Sequence, residues 1–194
     1  MDTFKLYFQL GTEHILDIKG YDHILFVVAL TAIYLARDWK RVLILVTAFT
    51  IGHSVTLALA TLSLIRFNPH LIEFLIPVTI FLTAIVNILR KNPEQRSKKL
   101  QLSYVLALFF GLIHGMGFSN YLRSLLGTDT TIITQLLAFN LGLELGQLVI
   151  VVSFMALTFL FVDIFGVSRR DWKLAISSGV AAIATTLMIT AKYW

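Results

Sequence analysis

The chain has 194 residues, 57% of them hydrophobic and only 14% charged, with no cysteine and a mean hydropathy of +0.82. A soluble domain carries about a quarter charged residues, so a soluble enzyme or binding module is excluded, as are disulfides, iron–sulfur clusters and thiolate metal sites. The net charge of +5 reflects topology and not nucleic-acid binding, because the bases fall in short loops between apolar blocks.

Taken in chain order, the sequence reads as an all-α, polytopic transmembrane helix bundle forming one domain over residues 1–194, with about six spans. Residues 1–20, with Phe4, Leu6, Phe8 and Leu10, form an amphipathic lead-in at the membrane interface. The start lacks the basic, apolar and small-residue regions of a cleavable signal, so the first span is expected to stay in the mature protein. Spans follow at roughly 21–37, 42–65, 71–90, 102–126, 132–164 and 172–191, each near or beyond the roughly 20 residues a helix needs to cross. The fifth is too long for one perpendicular helix and must tilt, bend or protrude. Residues 92–97, with Pro93, form a polar turn. Eleven of the 16 Lys and Arg residues lie in the loops after spans one, three and five, so the positive-inside rule puts both termini outside the cytoplasm.

Ionisable residues within the spans carry the functional signal, since each costs about 2.5–3.5 kcal/mol at mid-helix on insertion scales. His53 falls near the middle of span two and His114 near the middle of span four. Glu144 lies on span five with Asn140 and Gln147 within about 60° of one another on one helix face. Gly142 and Gly146 lie opposite, at a spacing suited to close helix packing. In span two Thr47, Thr50, Ser54 and Thr61 form a polar stripe beside His53, and in span four Gly111, Gly115 and Ser119 form a thin face beside His114. Three helices can therefore converge two imidazoles, one carboxylate and several hydroxyl and amide oxygens. Such donors suit nickel, cobalt or zinc better than calcium.

Before span one lie Glu13-His14 and Asp22-His23. On one continuous helix His14 and His23 would face about 180° apart, but a break at Lys19-Gly20 lets them meet around a turn, with Asp22 opening the next helix. Each of these groups also has a structural reading: a histidine bonded to a neighbouring helix, a carboxylate as a helix cap, Glu144 paired with a histidine. Glu73 reads as a dipole partner at a helix start, His70 as a loop histidine, and Asp163 as an ion-pair partner of Arg169 or Arg170.

The stretches His14-Ile15-Leu16 leading to Gly20-Tyr21-Asp22-His23-Ile24-Leu25-Phe26, Thr47 to Leu57 around Gly52-His53-Ser54, Gly111-Leu112-Ile113-His114-Gly115-Met116-Gly117-Phe118, and Phe139 to Gln147 around Glu144 resemble, in that order, the HupE/UreJ family of small membrane proteins. The resemblance implies a bacterial inner-membrane protein associated with nickel or cobalt uptake, with Asp22, His23, His53, His114 and Glu144 as metal ligands. It also implies a homo-oligomer or a metalloenzyme maturation system (hydrogenase or urease) as partner, beside the lipid bilayer and the cation itself. Two motifs depart from the family pattern. Seven residues, not five, separate His14 from Asp22, and Phe110 and Gly117 stand where a first histidine and a glutamate are usual, which resembles the family's second branch.

The leading expectation is a divalent-metal permease in which His14, Asp22 and His23 capture the ion and His53, His114 and Glu144 hold it midway, supported by Thr50, Ser54, Asn140 and Gln147. Neutral imidazoles are the binding form, so uptake is expected to weaken as pH falls. The alternatives are a zinc-dependent intramembrane hydrolase with Ser54 near the metal and an accessory subunit whose polar core is structural.

Overall fold

The computed structural model describes residues 3–90, 98–126, 132–191 and 193. The turn expected at residues 92–97 lies outside them. The described residues form eight α-helices and no strand: α1 Thr3–Leu16, α2 Asp22–Thr31, α3 Trp39–Thr61, α4 Pro69–Leu89, α5 Lys98–Gly117, α6 Ser119–Leu126, α7 Ile132–Thr158 and α8 Arg169–Thr190. By length and composition α3, α4, α7 with its extension, and α8 can each cross a membrane, and α5 with α6 makes a fifth candidate.

The hydropathy reading therefore holds for the all-helical class and for most of the spans, with two differences. The expected first span is cut short, because α2 has only 10 residues, about 15 Å, half of a hydrocarbon core. A three-residue 3₁₀ turn, Ala36–Asp38, then leads into α3. The expected fourth span is broken, with the axes of Ser103–Gly117 and Ser119–Leu125 bent by 48°. The long fifth block is one helix of 33 residues, about 50 Å, whose last turns, Phe159–Ile164, widen to π-helix. Gly166, at φ +71, ends it in the left-handed conformation that glycine adopts without a Cβ penalty.

Helix ends are capped as their sequences dictate. Asn68 accepts from the His70 N–H with Pro69 at the first helical position of α4, and Ser168 accepts from the Asp171 N–H at the start of α8. His70, read as a loop residue, sits inside the first turn of α4, exposed, with Nδ1 3.7 Å from Glu73. Asp163 is exposed, and among the described residues it makes no ion pair with Arg169 or Arg170. The π-helical widening of that turn and the Gly166 bend separate it from α8.

Two helix pairs meet backbone to backbone. In α3 and α5 a Cβ added at Gly52 would collide with the Leu108 carbonyl oxygen, and one at Gly111 with that of Phe49. In α1 and α7, one at Gly142 would collide with the Phe8 carbonyl oxygen. Thr12 Oγ1 donates to the Gly142 carbonyl at 3.0 Å across the same seam. The glycine face of span five thus packs as its spacing implies, and its partner is α1. Tyr7, Gly11 and Ile15 of α1 are buried, and glycines on both helices, Gly11 as well as Gly142, let α1 come this close.

Candidate functional site

The break between α1 and α2 does the assembling. Asp17 accepts from the Lys19 N–H at 2.8 Å, closing the turn that returns the chain, so His14 at the end of α1 and His23 in the first turn of α2 come together. Their ring centroids are 4.6 Å apart. His23 lies 5.9 Å from His53 of α3 and 5.3 Å from His114 of α5, and His14 lies 6.2 Å from His53. Four helices therefore deliver four imidazoles to one interior place. His53 and His114 have no exposure at all, and His23 is 5% exposed.

Aromatic side chains enclose the cluster. Phe26 and Phe49 pack on His114 at 4.9 and 5.2 Å between centroids, while Phe118 and Phe139 pack on His14 at 3.9 and 5.8 Å. His53 Nδ1 and Nε2, His114 Nδ1, and the Nε2 atoms of His14 and His23 are buried without a hydrogen-bond partner.

The remaining nitrogens are held so that a lone pair is left over. Thr79 Oγ1 lies 2.7 Å from the Ile76 carbonyl and 3.0 Å from His114 Nε2, and with its proton on the carbonyl it accepts from Nε2–H. His114 Nδ1 is then the unprotonated nitrogen. Asp22 Oδ1 stands 3.1 Å from His23 Nδ1, and as a carboxylate it only accepts, which places the proton on Nδ1 and frees Nε2. A carboxylate or hydroxyl behind an imidazole is the arrangement that orients histidines toward a metal. Asp22, expected as a ligand, has Oδ1 turned to the His23 ring. Thr79 was not singled out from sequence, since a threonine in an apolar span carries no local mark of what it touches.

Glu144 is placed apart from the imidazoles. It accepts from Thr47 Oγ1 at 2.8 Å, and Gln147 Oε1 accepts from Thr50 Oγ1 at 2.7 Å. Thr50 and Thr47 precede His53 by about 4.5 and 9 Å along the α3 axis. Ser54 turns back to the Thr50 carbonyl at 2.7 Å, and Asn140 donates to the Leu136 carbonyl at 2.8 Å while its Oδ1 is buried and unpartnered. The polar face of α7 therefore meets the threonine stripe of α3 through Glu144 and Gln147.

Two imidazoles on one tetrahedral ion stand about 5 Å apart between ring centroids, given metal–nitrogen bonds near 2.0 Å. The separations here bracket that value, yet among the described residues no three His, Asp or Glu side chains are placed to close on one ion. The cluster is four neighbouring imidazoles and not a closed coordination sphere.

No curated protein and no solved structure matches the chain. The family model described as HupE / UreJ protein matches it from residue 1 to residue 194, and the chain belongs to that family.

Proposed function

We propose that the protein is a membrane permease for a divalent transition-metal ion of the nickel or cobalt kind, with His14, His23, His53 and His114 as the nitrogen donors that hold the ion in passage. The observation that carries this reading is the set of buried, unpartnered ring nitrogens of these four residues. A buried polar atom without a partner costs on the order of 1–3 kcal/mol, and a polar core built only for packing would pair them. A borderline cation with nitrogen ligands offsets that cost. Glu144 and Gln147, with Thr47 and Thr50, serve as a second, oxygen-rich station for the ion on its way along α3. Membership of a family associated with nickel or cobalt uptake supports the same reading.

The test is metal content by elemental analysis of the detergent-purified protein, with thermal unfolding of His53→Leu beside it. The wild type should bind about one equivalent of supplied Ni²⁺ and release it to chelator. His53→Leu should bind none, and in metal-free buffer it should unfold at a higher temperature than wild type, because an apolar side chain of similar volume removes two orphaned nitrogens. Metal that resists chelation would favour a zinc hydrolase. A lower metal-free midpoint for His53→Leu with no metal bound by wild type would identify the imidazoles as structural and leave an accessory subunit.

A further inference from the structure

A cavity of about 520 Å³ opens beside the cluster, lined among others by Thr12, Glu13, His14, Asp17, Phe118 and Tyr121. Among the described residues its charged lining is acidic: Glu13 and Asp17 contribute two exposed carboxylates four residues apart, and no Lys or Arg lines it. Glu13 is steadied by Gln9 Nε2 at 2.7 Å, and one oxygen of Asp17 is used by the Lys19 N–H. His14 belongs to both places. It lines the cavity, its ring touches that of His23 at 4.6 Å, and its Nε2 is buried without a partner.

A second cavity, of about 260 Å³, lies on the other side of the same turn, lined by Lys19, Tyr21, Asp22, Glu73, Pro77 and Thr190 among others. It differs in the features that matter to a cation. Lys19 offsets its acidic charge, Asp22 is committed to His23, and among the described residues no imidazole lines it. The first cavity has more room, a pair of carboxylates, and His14 in its lining.

We propose that the first cavity is the capture vestibule for the divalent cation, in which Glu13 and Asp17 draw in the hydrated ion and His14 is the first side chain to replace its water with nitrogen. The proposal rests on the metal-permease reading above. A cleft lined by one sign of charge raises the association rate of an oppositely charged ligand by tenfold or more, and salt screens the effect. Carboxylates are also suitable first partners for a hydrated ion, because they can bind it through its water before an inner ligand is exchanged. Phe118 and Tyr121, tilted against each other at 5.1 Å between centroids, wall the vestibule beside His14.

The experiment is a time course of Ni²⁺ loading of the full chain in detergent at low and high salt, comparing wild type with Glu13→Gln/Asp17→Asn. The double variant should load about tenfold more slowly at low salt, approach the wild-type rate at high salt, and reach the same nickel content at saturation. The chain has no cysteine, so Tyr121→Cys and Thr190→Cys give clean single sites in the two cavities. A bulky cationic thiol reagent should slow loading at Tyr121→Cys and leave Thr190→Cys unchanged. Wild-type loading by the double variant, or block at Thr190→Cys alone, would overturn the vestibule while leaving the permease reading intact. Absence of nickel binding by wild type would overturn both.

Discussion

A threonine hydroxyl has one proton to give, and where Thr79 gives it to the Ile76 carbonyl its oxygen accepts from His114. That arrangement sets the tautomer of an imidazole one helix away. Thr79→Val keeps the shape and removes the acceptor, leaving His114 free to rotate or to protonate the wrong nitrogen. Loss of such an orienting partner lowers metal affinity by about 10–100-fold. Titration of the variant with Ni²⁺ should show that loss with the fold intact by circular dichroism, and Thr79→Ser should restore most of it. An unchanged affinity in Thr79→Val would remove Thr79 from the site. At this scale the sequence disclosed residue types better than roles. His53 and His114 stand out because an ionisable group in an apolar span is costly, and both are in the cluster. Glu144 stands out for the same reason, but which helix it faces and at what level depends on how α7 crosses α3, which no local pattern encodes. His14 and His23 sit on opposite faces of an ideal helix, and it is the break at Lys19-Gly20 that brings them together.

Among the elements, the α3–α5 seam sets the separation of His53 from His114. Gly52 is next to His53, and a methyl group there would meet the Leu108 carbonyl of α5. Backbone cannot yield as a side-chain tip does, so Gly52→Ala should lower stability by about 1–3 kcal/mol or more and displace the imidazole beside it. Gly179 of α8 is the matched control: it is exposed and has nothing within 4 Å of an added Cβ. There alanine should be neutral or stabilising by up to about 1 kcal/mol, through helix propensity alone. Thermal midpoints of both variants in the same detergent decide the matter, and equal midpoints would mean the seam is not under steric constraint. Glycine spacing made this packing legible for α5 and α7. It did not disclose that α1 is the partner of α7, because a fourteen-residue segment with scattered apolar residues gives the same pattern at an interface as in a groove. Nor did hydropathy reveal the bend between α5 and α6, since an apolar block scores alike whether straight or broken.

For the molecule as a whole, the pattern of apolar blocks separated by basic loops fixes a parity that the helices make testable. From Lys40 to Arg66 the chain traverses α3; from Arg66 to Arg170 it traverses α4, the bent α5–α6 pair, and α7 with its π-helical extension. If each crosses once, Lys40 and Arg170 share one side and Arg66 lies on the other. The bias of eleven bases among 16 toward the first of these sides predicts that it is the cytoplasmic one. The cysteine-free chain again allows single-site substitution without background. In intact cells a membrane-impermeant maleimide should label Arg66→Cys, and it should label Lys40→Cys and Arg170→Cys only after permeabilisation. Labelling of Arg66→Cys and Arg170→Cys from the same side would mean that one of the three intervening elements does not cross. The bent α5–α6 pair would then be the one to suspect, because a helix that turns by 48° near its end can re-enter the face it came from. The parity of α1 and α2 is a separate matter. Neither is long enough to cross alone, and they meet at the break that brings His14 to His23. A broken helix with its ends turned toward an ion site is how membrane proteins present polar groups at depth without exposing unpaired backbone to lipid.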